Sequence, residues 1–126
     1  MAKNKDAISA NSGTHNVLAS GTKLIGEITS EEDFRVDGII EGNIFCKGKI
    51  IVGPTSTIIG NIECTNIELL GNVTGNILCS NTVVLRASCI ISGDLKTEVI
   101  EIEPGAKFEG KCSTYYQQKQ LEPQME

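Results

Sequence analysis

The sequence predicts an all-β protein, a right-handed parallel β-helix in which three short strands per coil form a triangular solenoid of about six coils. The apolar residues make up 40% of the chain, mostly as Ile, Val and Leu, while aromatic residues make up only 4%. Such β-branched side chains favour strands. Thirteen Gly against three Pro indicate many tight corners. A short motif also recurs at near-regular spacing, which is typical of repeat proteins.

The recurring motif is a Gly, then a polar or charged residue, then an apolar residue. Its copies are Gly26-Glu27-Ile28, Gly42-Asn43-Ile44, Gly60-Asn61-Ile62, Gly75-Asn76-Ile77, Gly93-Asp94-Leu95 and the weaker Gly110-Lys111-Cys112. Successive copies lie 16, 18, 15, 18 and 17 residues apart. Left-handed β-helices keep a strict hexapeptide repeat, so this uneven spacing favours a right-handed coil.

Between copies, apolar residues alternate with period two, as expected for short half-buried strands. The residues predicted to point inward in the three central coils are Ile44, Cys46, Ile50, Val52, Ile58, Ile62, Cys64, Ile67, Leu69, Val73, Ile77, Cys79, Val83, Leu85 and Ile91. Corners are predicted at Gly48, Gly53, Asn66, Gly71, Asn81 and Ser92, because Gly and Asn reach left-handed backbone angles at low cost.

Equivalent positions of stacked coils should form ladders along the axis, about 4.8 Å apart. The predicted aliphatic ladder contains Ile28, Ile44, Ile62, Ile77 and Leu95. Cys46, Cys64 and Cys79 form a second ladder that Thr97 continues. The five cysteines include no CxxC pair, and a linear stack does not converge as zinc ligands do. We therefore expect free buried thiols rather than a metal site or disulfides.

Several function classes are disfavoured by the sequence. A net charge of −5 disfavours nucleic-acid binding. The longest apolar runs are too short to span a membrane, and the N-terminal region lacks the apolar stretch of a signal peptide, so a cytoplasmic location is the default expectation. The single histidine, His15, lies before the repeats, and the sequence contains no GxxxxGK[ST]. We expect no catalytic residues, no cofactor and no enzymatic activity.

Six stretches in a fixed order resemble the bactofilins, the bacterial polymer-forming cytoskeletal family. They are GEI (26–28), FRVDGIIEGNI (34–44), GKIIVGPTSTIIGNI (48–62), VTGNI (73–77), ISGDL (91–95) and IEPGAKFEGKC (102–112). The resemblance implies a right-handed β-helix of about six coils between flexible tails. It places the tails at 1–20 and 113–126 and the β-helix at 21–112.

For function, the resemblance implies non-polar filaments that assemble end to end without nucleotide, through head-to-head and tail-to-tail contacts. It also implies a scaffold in cell shape or wall growth that works with peptidoglycan-modifying enzymes. Many bactofilins carry a short apolar, basic N-terminal hook that holds the filament at the inner face of the membrane. This chain has only Lys3 and Lys5 there, with scattered apolar residues, so membrane association is weakly supported.

Both ends of a β-helix expose unpaired backbone groups and a section of apolar core, which form a template for another chain. The residues predicted to form polymer contacts are Leu24, Ile25, Ile28 and Phe34 at the first coil and Ile100, Ile102, Phe108 and Cys112 at the last. Two alternatives stay open: Phe108 could plug its own coil, and Phe34 could be ordinary core. The competing function is a β-helical protein-binding module that does not polymerise.

Apolar residues predicted on the outer faces could instead form a lateral surface for bundling or for docking a client protein. They are Ile40, Ile51, Ile59, Leu70, Leu78 and Val84.

Overall fold

The computed structural model describes residues 15–115, and these wind into a parallel β-solenoid of six coils. Every strand pairing is parallel and joins one coil to the next. The strands are β1 (His15–Leu18), β2 (Lys23–Ile25), β3 (Ile28–Ser30), β4 (Asp33–Val36), β5 (Ile39–Glu41), β6 (Ile44–Val52), β7 (Thr57–Ile59), β8 (Ile62–Leu69), β9 (Asn72–Thr74), β10 (Ile77–Leu85), β11 (Ile90–Ser92), β12 (Leu95–Thr97), β13 (Val99–Ile102), β14 (Lys107–Glu109) and β15 (Cys112–Thr114).

The coils have three faces, as the triangular solenoid requires. Face A holds β3, β12, β15 and the first parts of β6, β8 and β10. Face B holds β1, β4, β13 and the second parts of the same three long strands, which bend at the corner between the two faces. Face C is the separate six-stranded sheet of β2, β5, β7, β9, β11 and β14. The right-handed sense stays a prediction.

The solenoid begins earlier than predicted. Strand β1 pairs with β4 and supplies face B of the first coil, so the boundary at residue 21 was set too late, and His15 belongs to a strand rather than to a tail. No Gly-polar-aliphatic copy precedes β1, so the repeat does not predict this strand. Strand β15 likewise continues to Thr114, past the predicted end at residue 112. The predicted disordered tails otherwise fall on residues 1–14 and 116–126, outside the described residues.

The predicted core is confirmed. All fifteen inward residues predicted for the central coils are buried. The aliphatic ladder is continuous from Ile28 to Leu95, and Cys46, Cys64 and Cys79 are in register with one another. One outer-face prediction was wrong: Ile40 is fully buried between Leu24 and Ile58, because it is Ile39 that points outward on β5.

The Gly of each motif copy is required by close contact between coils. Gly60 has a φ of 151°, and a Cβ on it would lie 2.0 Å from the carbonyl oxygen of Gly42. Gly75 and Gly93 meet the preceding motif glycine in the same way. A residue with a side chain would therefore suffer both backbone strain and a collision with the coil below.

The polar residues of the second to fifth copies link each coil to the next. The Asn43 side-chain oxygen accepts a hydrogen bond from the Asn61 backbone N–H at 3.0 Å, and Asn61 accepts one from Asn76 at the same distance. Asn76 and Asp94 continue the series as acceptors for the N–H groups of Asp94 and Lys111. This ladder satisfies N–H groups that the corner removes from regular strand pairing.

Ser56 is a polar exception in the core, and its removal should stabilise the fold. Its hydroxyl is buried, and its oxygen has no hydrogen-bond partner within residues 15–115. We expect Ser56→Ala to raise the free energy of unfolding by about 1 kcal/mol, because an unpaired buried hydroxyl is costly. Ser88→Ala is the matched control, since the Ser88 hydroxyl donates to the Leu70 carbonyl at 2.7 Å and its loss should destabilise. Chemical denaturation that shows both variants less stable would contradict this account.

Candidate assembly surfaces at the ends of the solenoid

The C-terminal end of the solenoid exposes the apolar side of the last coil. Strands β13, β14 and β15 pair with the preceding coil, and no further coil covers them within the described residues. Ile102 stacks directly on Leu85, yet Ile102 is 60% exposed while Leu85 is 0% exposed. Position in the stack therefore decides burial here, and one more coil would cover Ile102.

Other inward positions of the last coil follow the same rule. Phe108 and Ile100 are partly buried against the core, whereas Ile91 and Val83 beneath them are fully buried. Cys112 stacks on Leu95 and is exposed. Together with Ala106, which also packs against the core, these side chains make the C-terminal end an apolar surface bordered by unpaired strand edges. Phe108 contacts its own core and also lies at this surface, so its two predicted roles are compatible.

The N-terminal end is more polar. Leu18, Leu24 and Ile28 are partly buried against the core and lie in the first coil. Asn16 occupies the inward register position in front of Phe34. Its amide donates a hydrogen bond to the Ser30 hydroxyl at 3.1 Å.

Ser30 extends this polar group at the first coil. Its hydroxyl donates to the Glu32 carbonyl at 3.0 Å and accepts from the Glu32 N–H at 3.2 Å. Ser30 also stands at the head of the cysteine ladder, in register with Cys46. One corner of the N-terminal end is thus closed by hydrogen-bonded polar groups rather than left apolar.

Six of the eight residues predicted for the polymer contacts lie in the terminal coils with their side chains at inward positions. They are Leu24 and Ile28 in the first coil and Ile100, Ile102, Phe108 and Cys112 in the last. Ile25 instead points outward and is 73% exposed, because Leu24 takes the inward position of β2. Phe34 belongs to the second coil, with Asn16 in front of it. Sequence reasoning missed Asn16, Leu18 and Ser30, since β1 was not recognised.

Charged side chains bind the last coil to those before it on face B. The Arg86 guanidinium contacts Glu68 of the fourth coil and Glu103 of the sixth, both at 2.7 Å. The hydrogen bond from Arg86 lowers the pKa of the Glu68 carboxyl, and it also lowers the pKa of Glu103. Both carboxylates therefore stay ionised and paired at neutral pH, which keeps the charge of Glu103 compensated near the exposed end.

Face A carries a shallow groove of about 580 Å³ that extends from Glu27 in the first coil to Ser113 in the last. Its floor includes the exposed apolar side chains of Phe45 and Leu78. Near its C-terminal end, the Lys96 ammonium lies 4.9 Å from the centre of the Tyr115 ring. Of the predicted lateral residues, Leu78 and Ile59 are exposed and Ile51, Leu70 and Val84 are half-buried; their role in bundling or docking stays a prediction.

The thiols of the cysteine ladder should not react with a thiol reagent in the folded subunit, whereas the thiol of Cys112 should react. The thiols of Cys46, Cys64, Cys79 and Cys89 are buried, whereas Cys112 is exposed. Access of the reagent therefore decides the contrast, although a hydrogen bond with Cys64 lowers the pKa of the Cys79 thiol. The Cys79 thiol also donates to the Thr65 carbonyl at 3.1 Å. We expect a maleimide to label only Cys112 in dispersed native subunits and all five thiols after unfolding. Labelling followed by peptide mass mapping measures this. Native labelling of Cys64 at the rate of Cys112 would contradict it.

Within residues 15–115 no group of three or more His, Cys, Asp or Glu side chains converges as metal ligands would. No helix in the same range is long and apolar enough to cross a membrane.

Comparisons with known proteins agree on one family. The family model described as "Bactofilin: Polymer-forming cytoskeletal" matches residues 16–113. The chain is 36% identical over 96 residues to bactofilin BacO of Myxococcus xanthus (strain DK1622), and the aligned region covers 76% of each chain. It is 32% identical over 105 residues to bactofilin BacP of the same organism, covering 82% of this chain but only 44% of BacP.

A solved structure is similar as well. It is the cryo-EM reconstruction of Thermus thermophilus bactofilin double helical filaments, with a TM-score of 0.73 and 27% sequence identity. The match covers 79% of this chain and 98% of that chain.

Proposed function

The chain belongs to the bactofilin family of polymer-forming cytoskeletal proteins, and on that premise we propose that its subunits assemble end to end into non-polar filaments without nucleotide. The observation that carries the proposal is the exposed apolar side of the last coil. Ile102 is exposed there although its equivalent in every inner coil is buried. The filament of the Thermus thermophilus relative supports self-association of this fold.

The geometry of the two ends supports a non-polar filament. A copy of the same end supplies both the missing backbone partners and an apolar cover. Two subunits can meet through their C-terminal ends or through their N-terminal ends. Both contacts are isologous and have two-fold symmetry. Alternating them produces an open filament in which neighbouring subunits point in opposite directions.

Assembly of this kind needs no energy source. Its driving force is the burial of apolar side chains and the continuation of strand pairing across subunits. The sequence contains no GxxxxGK[ST] phosphate loop. Nucleotide therefore has no role in our proposal.

We further propose that the filament is a cytoplasmic scaffold for proteins of cell shape and cell-wall growth, including peptidoglycan-modifying enzymes. This part rests on the family resemblance. The exposed outer faces, with Phe45 and Leu78 in the groove of face A, offer surfaces for such clients.

Negative-stain electron microscopy of the purified chain, with nucleotide removed and a chelator present, tests self-assembly. We expect filaments whose number rises with protein concentration and is unchanged when ATP or GTP is added. Uniform particles of subunit size at all salt and protein concentrations would overturn the proposal and would favour a binding module that does not polymerise.

A further inference from the structure

We propose that the two end contacts are unequal: the C-terminal contact between two copies of this chain is the tighter one, so a tail-to-tail dimer forms first and is the unit that polymerises. This inference rests on the proposed end-to-end assembly and adds its order. At each end of the solenoid, the partner is the same end of a second copy of the chain.

The C-terminal end favours tight association because four of its inward positions are apolar or weakly polar. Ile100, Ile102, Phe108 and Cys112 all face the missing next coil, with Ala106 beside them. The Phe108 ring is the largest of these side chains, and burial of an aromatic ring contributes strongly to the free energy of a contact. Thr114, stacked on the buried Thr97, adds one hydroxyl at this end. A hydroxyl has fewer donor and acceptor groups to dehydrate than the Asn16 amide at the N-terminal end.

Charge does not oppose this contact strongly. Glu103 lies in the last coil, where its carboxylate would meet a facing copy, but it is already paired with Arg86 at 2.7 Å. The acidic Glu101 and Glu109 are at outward positions of their strands and are balanced by Lys107 and Lys111 in the same coil. Two like ends can therefore approach without a cluster of unpaired carboxylates.

The N-terminal end is weaker for a specific reason. Asn16 occupies an inward position at which the inner coils carry apolar side chains, and Ser30 occupies one at which they carry cysteine or, in the fifth coil, Thr97. Their mutual hydrogen bond at 3.1 Å uses only part of the bonding capacity of the Asn16 amide. A facing copy would strip water from the remaining donor and acceptor, and that cost reduces the gain from Leu18, Leu24 and Ile28.

Two single substitutions separate the ends. Ile102→Arg blocks the C-terminal contact, and because Ile102 is 60% exposed the change leaves the subunit's own packing largely intact. Leu24→Arg blocks the N-terminal contact in the first coil. Ile90→Arg is the control, because Ile90 points outward and is exposed on face C of the fifth coil, beside the outward Lys107, and so is not part of the apolar surface at either end. Circular dichroism and thermal unfolding of each variant show that it is folded before its assembly is measured.

Sedimentation velocity of the full chain across a dilution series then compares the two contacts. We expect the Leu24→Arg dimer, which keeps only the C-terminal contact, to dissociate at a concentration at least about tenfold lower than the Ile102→Arg dimer, which keeps only the N-terminal contact. Ile90→Arg should form filaments. Equal dissociation concentrations, a tighter dimer of Ile102→Arg, or no dimer of Leu24→Arg would overturn the inequality. If neither the wild type nor the Ile90→Arg control forms filaments, the proposed function itself is wrong.

Discussion

Replacing Gly60 by Ala is expected to lower the free energy of unfolding of the subunit by about 3 kcal/mol or more. The added Cβ would lie 2.0 Å from the Gly42 carbonyl oxygen, a backbone atom that cannot rotate away. A φ of 151° adds strain that only Gly avoids. The third and second coils would have to separate, which opens the aliphatic and cysteine ladders that both coils share.

Gly26→Ala is the matched control for this prediction. Gly26 has a similar φ of 141°, but a Cβ on it meets nothing within 4 Å, because no coil precedes it in the described residues. Gly26→Ala should therefore lower the free energy of unfolding by only about 1–2 kcal/mol, through backbone strain alone. Both variants are made in the Ile102→Arg background, so that denaturation reports the subunit rather than the filament. Equal losses in the two variants would refute the role of coil-to-coil contact.

Phe108→Arg is expected to abolish filaments while leaving a folded subunit. Phe108 is in register with Ile91 and lies at the exposed side of the last coil. Each tail-to-tail contact loses the burial of two such rings, about 3 kcal/mol in total, which weakens the contact roughly 100-fold. The two introduced guanidinium groups would also face each other across the two-fold axis. Electron microscopy should show short particles where the wild type forms filaments.

The control for Phe108→Arg is again Ile90→Arg, which places the same charge on the exposed side of face C. Filaments of Phe108→Arg as long as those of this control would remove Phe108 from the contact. Circular dichroism separates the other alternative, in which Phe108 serves only as a plug for its own coil. In that case the variant would lose strand content in the last coil and a large part of its stability.

The coiled architecture was predictable because the second to fifth motif copies perform the same three tasks from coil to coil. In Gly60-Asn61-Ile62 the Gly permits close stacking, the Asn accepts a hydrogen bond from the next coil, and the Ile enters the core. A repeated physical requirement leaves a repeated residue pattern. The register of the aliphatic and cysteine ladders could therefore be read before any coordinates were known.

The parts that sequence reasoning missed lie where the repeat breaks down. Strand β1 has no motif copy before it, so its short His-Asn-Val-Leu run carried no periodic signal. Without β1, Phe34 was assigned to the first coil and the polar role of Asn16 was invisible. Adjacent aliphatic residues, Leu24-Ile25 and Ile39-Ile40, caused the remaining errors. Nothing local distinguishes Ile39 from Ile40, and only the register with Leu24 and Ile58 shows which one is buried.

Cryo-electron microscopy of the wild-type filament tests the central claim most directly, because it shows the direction of each chain. Six coils at about 4.8 Å make a subunit about 29 Å long. Our account predicts end-to-end subunits of alternating direction, with an axial repeat of about 58 Å for each pair. It also predicts that, at every second junction, Phe108 contacts the last coil of the facing subunit. Subunits that all point the same way, or that associate through face A, B or C alone, would contradict it.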